Sequence, residues 1–255
     1  MTGTVQHPQR SEPTAKVFQR KWATFRRDPL NSSREKLQRL IRVRTKPLVE
    51  SLRRFLQQRA KRQLHSRHYT HLFATRPAHA LAPDYADLWF LYRTVKARKP
   101  RCVLEFGSGC STIILAQAVL ENAQESDICG HVYSVDADPY WAAVAQETIP
   151  EHLRSVCDIF YSPLREVEHE GTPAFQHATI PDVTPDFLYI DGPALTHDRR
   201  VTVDVLNLQQ HLPKGCFIII DGRWQTAMFL KRHIKRRQAS VYRWPFRNHT
   251  IQLLS

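Results

Sequence analysis

The run Val103-Leu104-Glu105-Phe106-Gly107-Ser108-Gly109-Cys110-Ser111-Thr112 holds the residue types and spacing that point most clearly to chemistry. An apolar strand pattern enters a Gly-x-Gly turn, and a helix pattern follows. Glycine permits a tight turn and lets a ligand approach the backbone. Ligands of open α/β sheets settle at the carboxyl ends of such strands. A dinucleotide site would carry a third glycine at position 112, beside a pyrophosphate; Thr112 stands there instead. Glu105 would repel a pyrophosphate but suits a ligand bearing an ammonium group. Asp136 closes the next strand pattern, 31 residues after Glu105, where it could accept hydrogen bonds from ribose hydroxyls. Asp138 or Asp136 could also cap the helix that begins at Pro139.

Two further strands end in carboxylates, Tyr189-Ile190-Asp191-Gly192-Pro193 and Ile220-Asp221-Gly222-Arg223. A hydroxyl acceptor would lose a proton, and Asp191 and His197 are the candidate bases. Alternatively, Asp191 and Asp221 could hold Mg²⁺ as hard oxygen ligands. Arg200 and Arg223 could bind an acidic acceptor, or could lie in water. His249 reads as structural, and Trp224 and Trp244 as core or rim.

These residues need a scaffold, and the hydropathy pattern supplies one. Asp84–Ala97 reads as a helix. After it, strands and helices alternate: Cys102–Phe106, helix Ser111–Ala123, His131–Asp136, helix Tyr140–His152 and Val156–Ser162. Then come Phe187–Asp191, helix Asp198–Leu212, Cys216–Asp221 and helix Gln225–Ile234. Strands near Ser240–Trp244 and Thr250–Leu254 close the chain. Short apolar strands between helices predict a doubly wound, mostly parallel α/β sheet with helices on both faces. Arg165–Asp186 reads as a long connection, a candidate lid.

The net charge of +13 belongs to one segment. Residues 1–68 hold 18 Lys and Arg against 4 Asp and Glu, and the rest is near neutral. We therefore divide the chain into a basic N-terminal extension, 1–68, and a main domain, 69–255. Within the extension, Leu37, Leu40, Ile41, Leu48, Leu52, Phe55 and Leu56 recur at helical steps over Ser33–Arg62. Pro47 should kink or split that helix. Such a basic amphipathic helix could dock on the main domain or on a second copy in a homo-oligomer. It could instead lie on an anionic membrane surface. Nucleic acid is the least favoured partner, since no binding motif accompanies the basic stripe. No apolar run is long enough to span a bilayer, and Met1–Arg10 lacks a secretory signal pattern. A cytoplasmic location is expected, with peripheral contact at the inner membrane face as the variant. Five scattered cysteines signal neither zinc nor a disulfide framework.

With these motifs in place, residues 101–222 resemble the class I S-adenosylmethionine-dependent methyltransferases. Glu105, Gly107 and Gly109 match the first motif, Asp136 the acidic residue after the second strand, and Phe187–Pro193 the fourth-strand motif. Within that class the resemblance is to small-molecule and sugar O-methyltransferases. It implies a seven-stranded sheet with a reversed terminal hairpin and S-adenosylmethionine as cofactor. The implied cofactor residues are Glu105, Gly107, Ser108, Gly109, Ser111, Asp136, Ala137 and Ser162. Ser162 stands where many members place an acidic residue near the adenine. The implied reaction moves a methyl group to a hydroxyl of a saccharide or another small molecule. Catechol-type members place Mg²⁺ much as Asp191 and Asp221 would, but carry an amide or acid where this chain has Gly222. The alternative is a non-catalytic cofactor-binding scaffold recruited through the basic helix.

Overall fold

A computed structural model describes residues 29–194, 200–244 and 248–255, with side chains from residue 47 onward. Two compact units meet in sequence between Glu50 and Ser51. In the second unit, seven strands form one sheet in the order β3-β2-β1-β6-β8-β10-β9. They are β1 (Cys102–Phe106), β2 (His131–Asp136), β3 (Cys157–Tyr161), β6 (Phe187–Ile190), β8 (Phe217–Ile220), β9 (Gln238–Arg243) and β10 (Asn248–Leu253). All neighbours are parallel except β10, which runs antiparallel to both β8 and β9. The doubly wound sheet and its reversed terminal hairpin are as the sequence implied.

Strand order turns back at β1, which lies between β2 and β6. That is where an open α/β sheet leaves a crevice beyond its strand ends. The central strands are buried on both faces because helices cover them, so Val103, Leu104, Leu188 and Ile218–Ile220 have no exposed surface. Each such side chain contributes about 1.5–3 kcal/mol relative to exposure. The helices are α2 (Tyr85–Arg98), α3 (Cys110–Glu125), α4 (Pro139–Thr148), α5 (Asp204–Leu208) and α6 (Trp224–His233). Local chemistry sets their starts. Asp84 caps α2 by accepting from the amides of Ala86 and Asp87, and Asp138 caps α4 by accepting from Tyr140 and Trp141.

Three expectations are refined. The assignment of helix α1 covers Pro29–Ser66 with Pro47 inside it, so of the two expected effects of that proline the split does not occur. Proline removes one donor and crowds one carbonyl. Arg165–Asp186 is not an open loop. It folds as a hairpin of β4 (Leu164–His169) and β5 (Thr172–His177), joined by β7 (Val201–Thr202) into a small second sheet. The helix expected over Asp198–Leu212 is reduced to α5, because Val201 and Thr202 pair with β5 instead.

The part of α1 within the second unit docks through a short stretch. Ala60 and Leu64 are buried, while Arg53 and Gln57 both bond Asp84, Arg53 at 2.7 Å. Leu52 and Phe55 stay exposed. Among the described residues no helix is long and apolar enough to cross a membrane. Cys157 and Cys216 are buried and Cys102 partly so, and desolvation raises all three thiols. They are packing residues.

Candidate functional site

The turn after β1 is held from two sides. On one, Gly107 N–H donates to Val135 O at 2.8 Å, and Ser108 gives both its N–H and its hydroxyl to Asp136 Oδ2, at 2.8 and 2.7 Å. Asp136 Oδ1 accepts from Asp138 N–H at 2.9 Å. Asp136 is largely buried and orders the turn. On the other side, Gly107 meets the turn after β6. A Cβ on Gly107 would lie 2.6 Å from Gly192 N, and a Cβ on Gly192 would lie 2.6 Å from Gly107 N. Gly107 also has φ +97°, a conformation side chains disfavour. Asp191 N–H donates to Phe106 O at 2.9 Å. The glycine turn and Asp191 thus sit one backbone hydrogen bond apart. By contrast, the space a Cβ would fill at Gly109 holds no atom within 4 Å. That open cradle beside a carboxylate, with no third glycine, fits an amino-acid-bearing nucleoside.

Glu105 departs from expectation. It has no exposed surface and does not reach the crevice. Its Oε2 accepts from Thr112 at 2.5 Å and Ser134 at 2.7 Å, and Thr112 Oγ1 also receives Gly109 N–H at 2.9 Å. Glu105 is a brace: it holds Thr112, which holds the second glycine. Burial pushes its carboxyl up to about 7, against the pull of Ser111, Ser134 and Thr112. Oε1 finds no partner among the described atoms, an arrangement a protonated carboxyl tolerates better than a charged one. Ser162 is corrected as well. It is buried, its N–H donates to Asp136 O, and its hydroxyl accepts Thr179 N–H at 2.9 Å. It closes a corner and offers no open surface to an adenine. Ser111 is also buried, and Ala137 remains half-exposed beside Asp136.

At the ends of β6 and β8, Asp191, Asp221 and Arg223 interact. Asp191 is exposed at its surface, yet atoms packed around its carboxyl desolvate it and, with Asp221, raise it to about 7, while Arg223 opposes them. Burial also raises Asp221, although Tyr189 donates to it at 3.0 Å. Arg223 is buried and bonds the backbone oxygen of Asp191. The expected Mg²⁺ is not supported here, because the positive charge of Arg223 already acts on both carboxylates. Among the described residues no three His, Cys, Asp or Glu side chains are grouped to hold a metal ion.

Arg223 thus spends one nitrogen on the protein, while its buried Nε has no partner among the described residues. Arg200 pairs with Glu166 at 2.8 Å and lies over the Phe175 ring, on the small sheet. His197 lies outside the described residues. His249 is buried between Trp224 and Tyr242, as a structural residue would be, and both tryptophans, Trp224 and Trp244, sit exposed at the rim.

Sequence reasoning missed Asp87. It is buried on α2, receives Asn248 Nδ2 at 2.9 Å and is raised to about 8 by burial, then by Asp221 and Asp84. An acidic residue in the first turn of a helix carried no signal beyond N-terminal charge preference.

Fold and site together place a glycine turn and two carboxylates, Asp136 and Asp191, at the carboxyl ends of β1, β2 and β6. Residues 104–222 match the family model described as a methyltransferase domain. The match falls on the same strands and turns that resemble the class I S-adenosylmethionine-dependent methyltransferases. Similar solved structures include an O-methyltransferase from Bacillus cereus in complex with SAH. It is 15% identical, with 77% of this chain and 90% of that chain covered and a TM-score of 0.47. The O-methyltransferase TomG from Streptomyces achromogenes, in complex with SAM, is 13% identical over 78% and 89%, with a TM-score of 0.45. SAH-bound PaMTH1 from Podospora anserina is 14% identical over 73% and 86%, with a TM-score of 0.47. A search of curated proteins returns no match.

Proposed function

We propose that the chain methylates a hydroxyl of a saccharide or another small molecule, with Asp191 as the base. The observation that carries this reading is the 2.9 Å bond from Asp191 N–H to Phe106 O. It ties a titratable carboxylate to the turn that receives the cofactor. When bound, S-adenosylmethionine supplies a methyl group already activated by its sulfonium.

The protein's part is then positional. Gly107 and Gly109 admit the cofactor to the backbone, and Asp136 accepts from ribose hydroxyls while keeping its hold on Ser108. Alignment of acceptor and cofactor provides much of the acceleration. Asp191 takes the proton the hydroxyl loses. With its carboxyl near 7, a large share is ionised at neutral pH while remaining basic enough to accept. Arg223 fixes this residue by bonding its backbone oxygen.

The test is methyl transfer from labelled cofactor to a pool of saccharides and small alcohols, with Asp191→Asn beside the parent protein. We expect kcat to fall about 100-fold or more, with cofactor affinity retained. Undiminished turnover by Asp191→Asn would remove Asp191 from the mechanism.

A further inference from the structure

A groove of about 820 Å³ runs along α2, lined on its apolar side by Leu56, Trp89, Phe90 and Phe217. Ligand sites commonly have this size. Four arginines complete it, Arg59, Arg93, Arg98 and Arg243, and no Asp or Glu is among its lining residues. Arg98 stacks 3.6 Å from the Phe217 ring centre, and Arg243 3.3 Å from that of Phe90. Among the described residues, Arg59, Arg93 and Arg98 form no salt bridge. None of Gly107, Gly109, Asp136 or Asp191 lines the groove, so it is separate from the methyl-transfer site.

Cationic heads over an apolar floor favour a ligand with an anionic group on a hydrocarbon body. The same helix that contributes Leu56 and Arg59 presents Leu52 and Phe55 to solvent, 38% and 59% exposed. Basic side chains beside exposed leucine and phenylalanine suit the boundary between headgroups and acyl chains. Charge argues against the chain's own first 28 residues as the occupant, since they hold six Lys and Arg against two Asp and Glu. It argues against a second copy's basic extension for the same reason. Desolvation lowers Arg98 and Arg243, and a bound anion would relieve that cost.

We propose that this groove takes an acyl chain and phosphate of an anionic phospholipid, and so seats the enzyme on a membrane surface. The proposal is independent of the acceptor assigned above.

The test uses the full-length protein and phosphatidylcholine vesicles with or without phosphatidylglycerol carrying brominated acyl chains. Binding should require the anionic lipid, and the bromines should quench Trp89. The quenched fraction should fall when Trp89 is replaced by phenylalanine. Arg93→Gln/Arg98→Gln should weaken vesicle affinity about 30-fold, taking about 1 kcal/mol for each basic residue, with cofactor affinity unchanged. Leu52→Ser/Phe55→Ser, which alters only exposed positions, should also weaken binding, and it serves if the arginine pair fails to fold. Three results would overturn the proposal. Quenching identical in Trp89→Phe would place the lipid elsewhere, on the basic extension. Vesicle affinity unchanged in both double variants would do the same. Displacement by soluble glycerol phosphate as effective as by vesicles would mean a free organic phosphate and not a lipid.

Discussion

Adding one methyl group to each glycine of the cofactor turn should have opposite consequences at Gly107 and Gly109. At Gly107 the new Cβ would lie 2.6, 2.8 and 2.9 Å from backbone atoms of Gly192 and Asp191, which cannot swing aside as a side chain would. Its φ of +97° adds strain of about 1–2 kcal/mol for an L-residue, and overpacking adds about 1–3 kcal/mol. Gly107→Ala should therefore lose about 2–5 kcal/mol. For a chain of this size that lowers Tm by about 4–20 °C. At Gly109 no atom lies within 4 Å of the added Cβ and the backbone is extended. Replacing it costs a weaker helix cap, about 1 kcal/mol or less, so Tm should fall by no more than about 4 °C. The open space is nevertheless where the cofactor is expected. Thermal unfolding and equilibrium dialysis with labelled S-adenosylmethionine, run on both variants, separate the effects. Gly107→Ala should be unstable. Gly109→Ala should be near normal in stability yet bind cofactor at least tenfold more weakly. Parental affinity in Gly109→Ala would refute the location of the cradle, and parental stability in Gly107→Ala would refute the backbone contact.

Other outcomes follow from buried charges. Glu105 is raised from an ordinary value near 4.5 to about 7, so the native state holds its proton more tightly than the unfolded chain. Its contribution to stability is complete below about 4.5 and is lost as pH rises through 7. Tm measured from about pH 5 to pH 8 should fall less steeply in Glu105→Gln than in the parent; parallel curves would mean that Glu105 is not protonated natively. Asp204 accepts both His177 N–H, at 2.9 Å, and His177 Nδ1, at 3.1 Å, inside the small sheet. Asp204→Ala should cost about 3 kcal/mol by leaving those groups unpaired, seen as a Tm loss of about 6–12 °C. A loss under 2 °C, on the same scale, would show that water repairs the gap. Asp136→Asn should weaken cofactor binding about tenfold or more, since charge-assisted hydrogen bonds contribute about 1.5–3 kcal/mol. Unchanged binding in dialysis would leave Asp136 only its hold on Ser108.

What the sequence revealed was local. The apolar runs of β1, β6 and β8 and the cap at Asp138 depend on neighbours a few residues away, so pattern alone exposed them. The direction of the Glu105 side chain depends on Ser134, a strand away, and on Thr112, which had counted only as a missing glycine. The role of Gly192 depends on Gly107, 85 positions before it, and no spacing rule connects them. The β4–β5 hairpin escaped because Arg165, Glu166 and Glu168 interrupt Leu164 and Val167. A two-stranded ribbon with exposed sides lacks the continuous apolar run of a covered strand. Helix α1 showed the converse problem. Its helical spacing was legible, but not that Ala60 and Leu64 would be the residues buried while Leu52 and Phe55 stayed in water.

The central claim is that the turn from Gly107 to Gly109 receives an amino-acid-bearing nucleoside and not a dinucleotide. Calorimetric titration of the full-length protein with S-adenosylhomocysteine, and separately with NAD, addresses it most directly. The account predicts one saturable site for S-adenosylhomocysteine and no heat of binding with NAD. Binding of NAD, or silence with both, would contradict it.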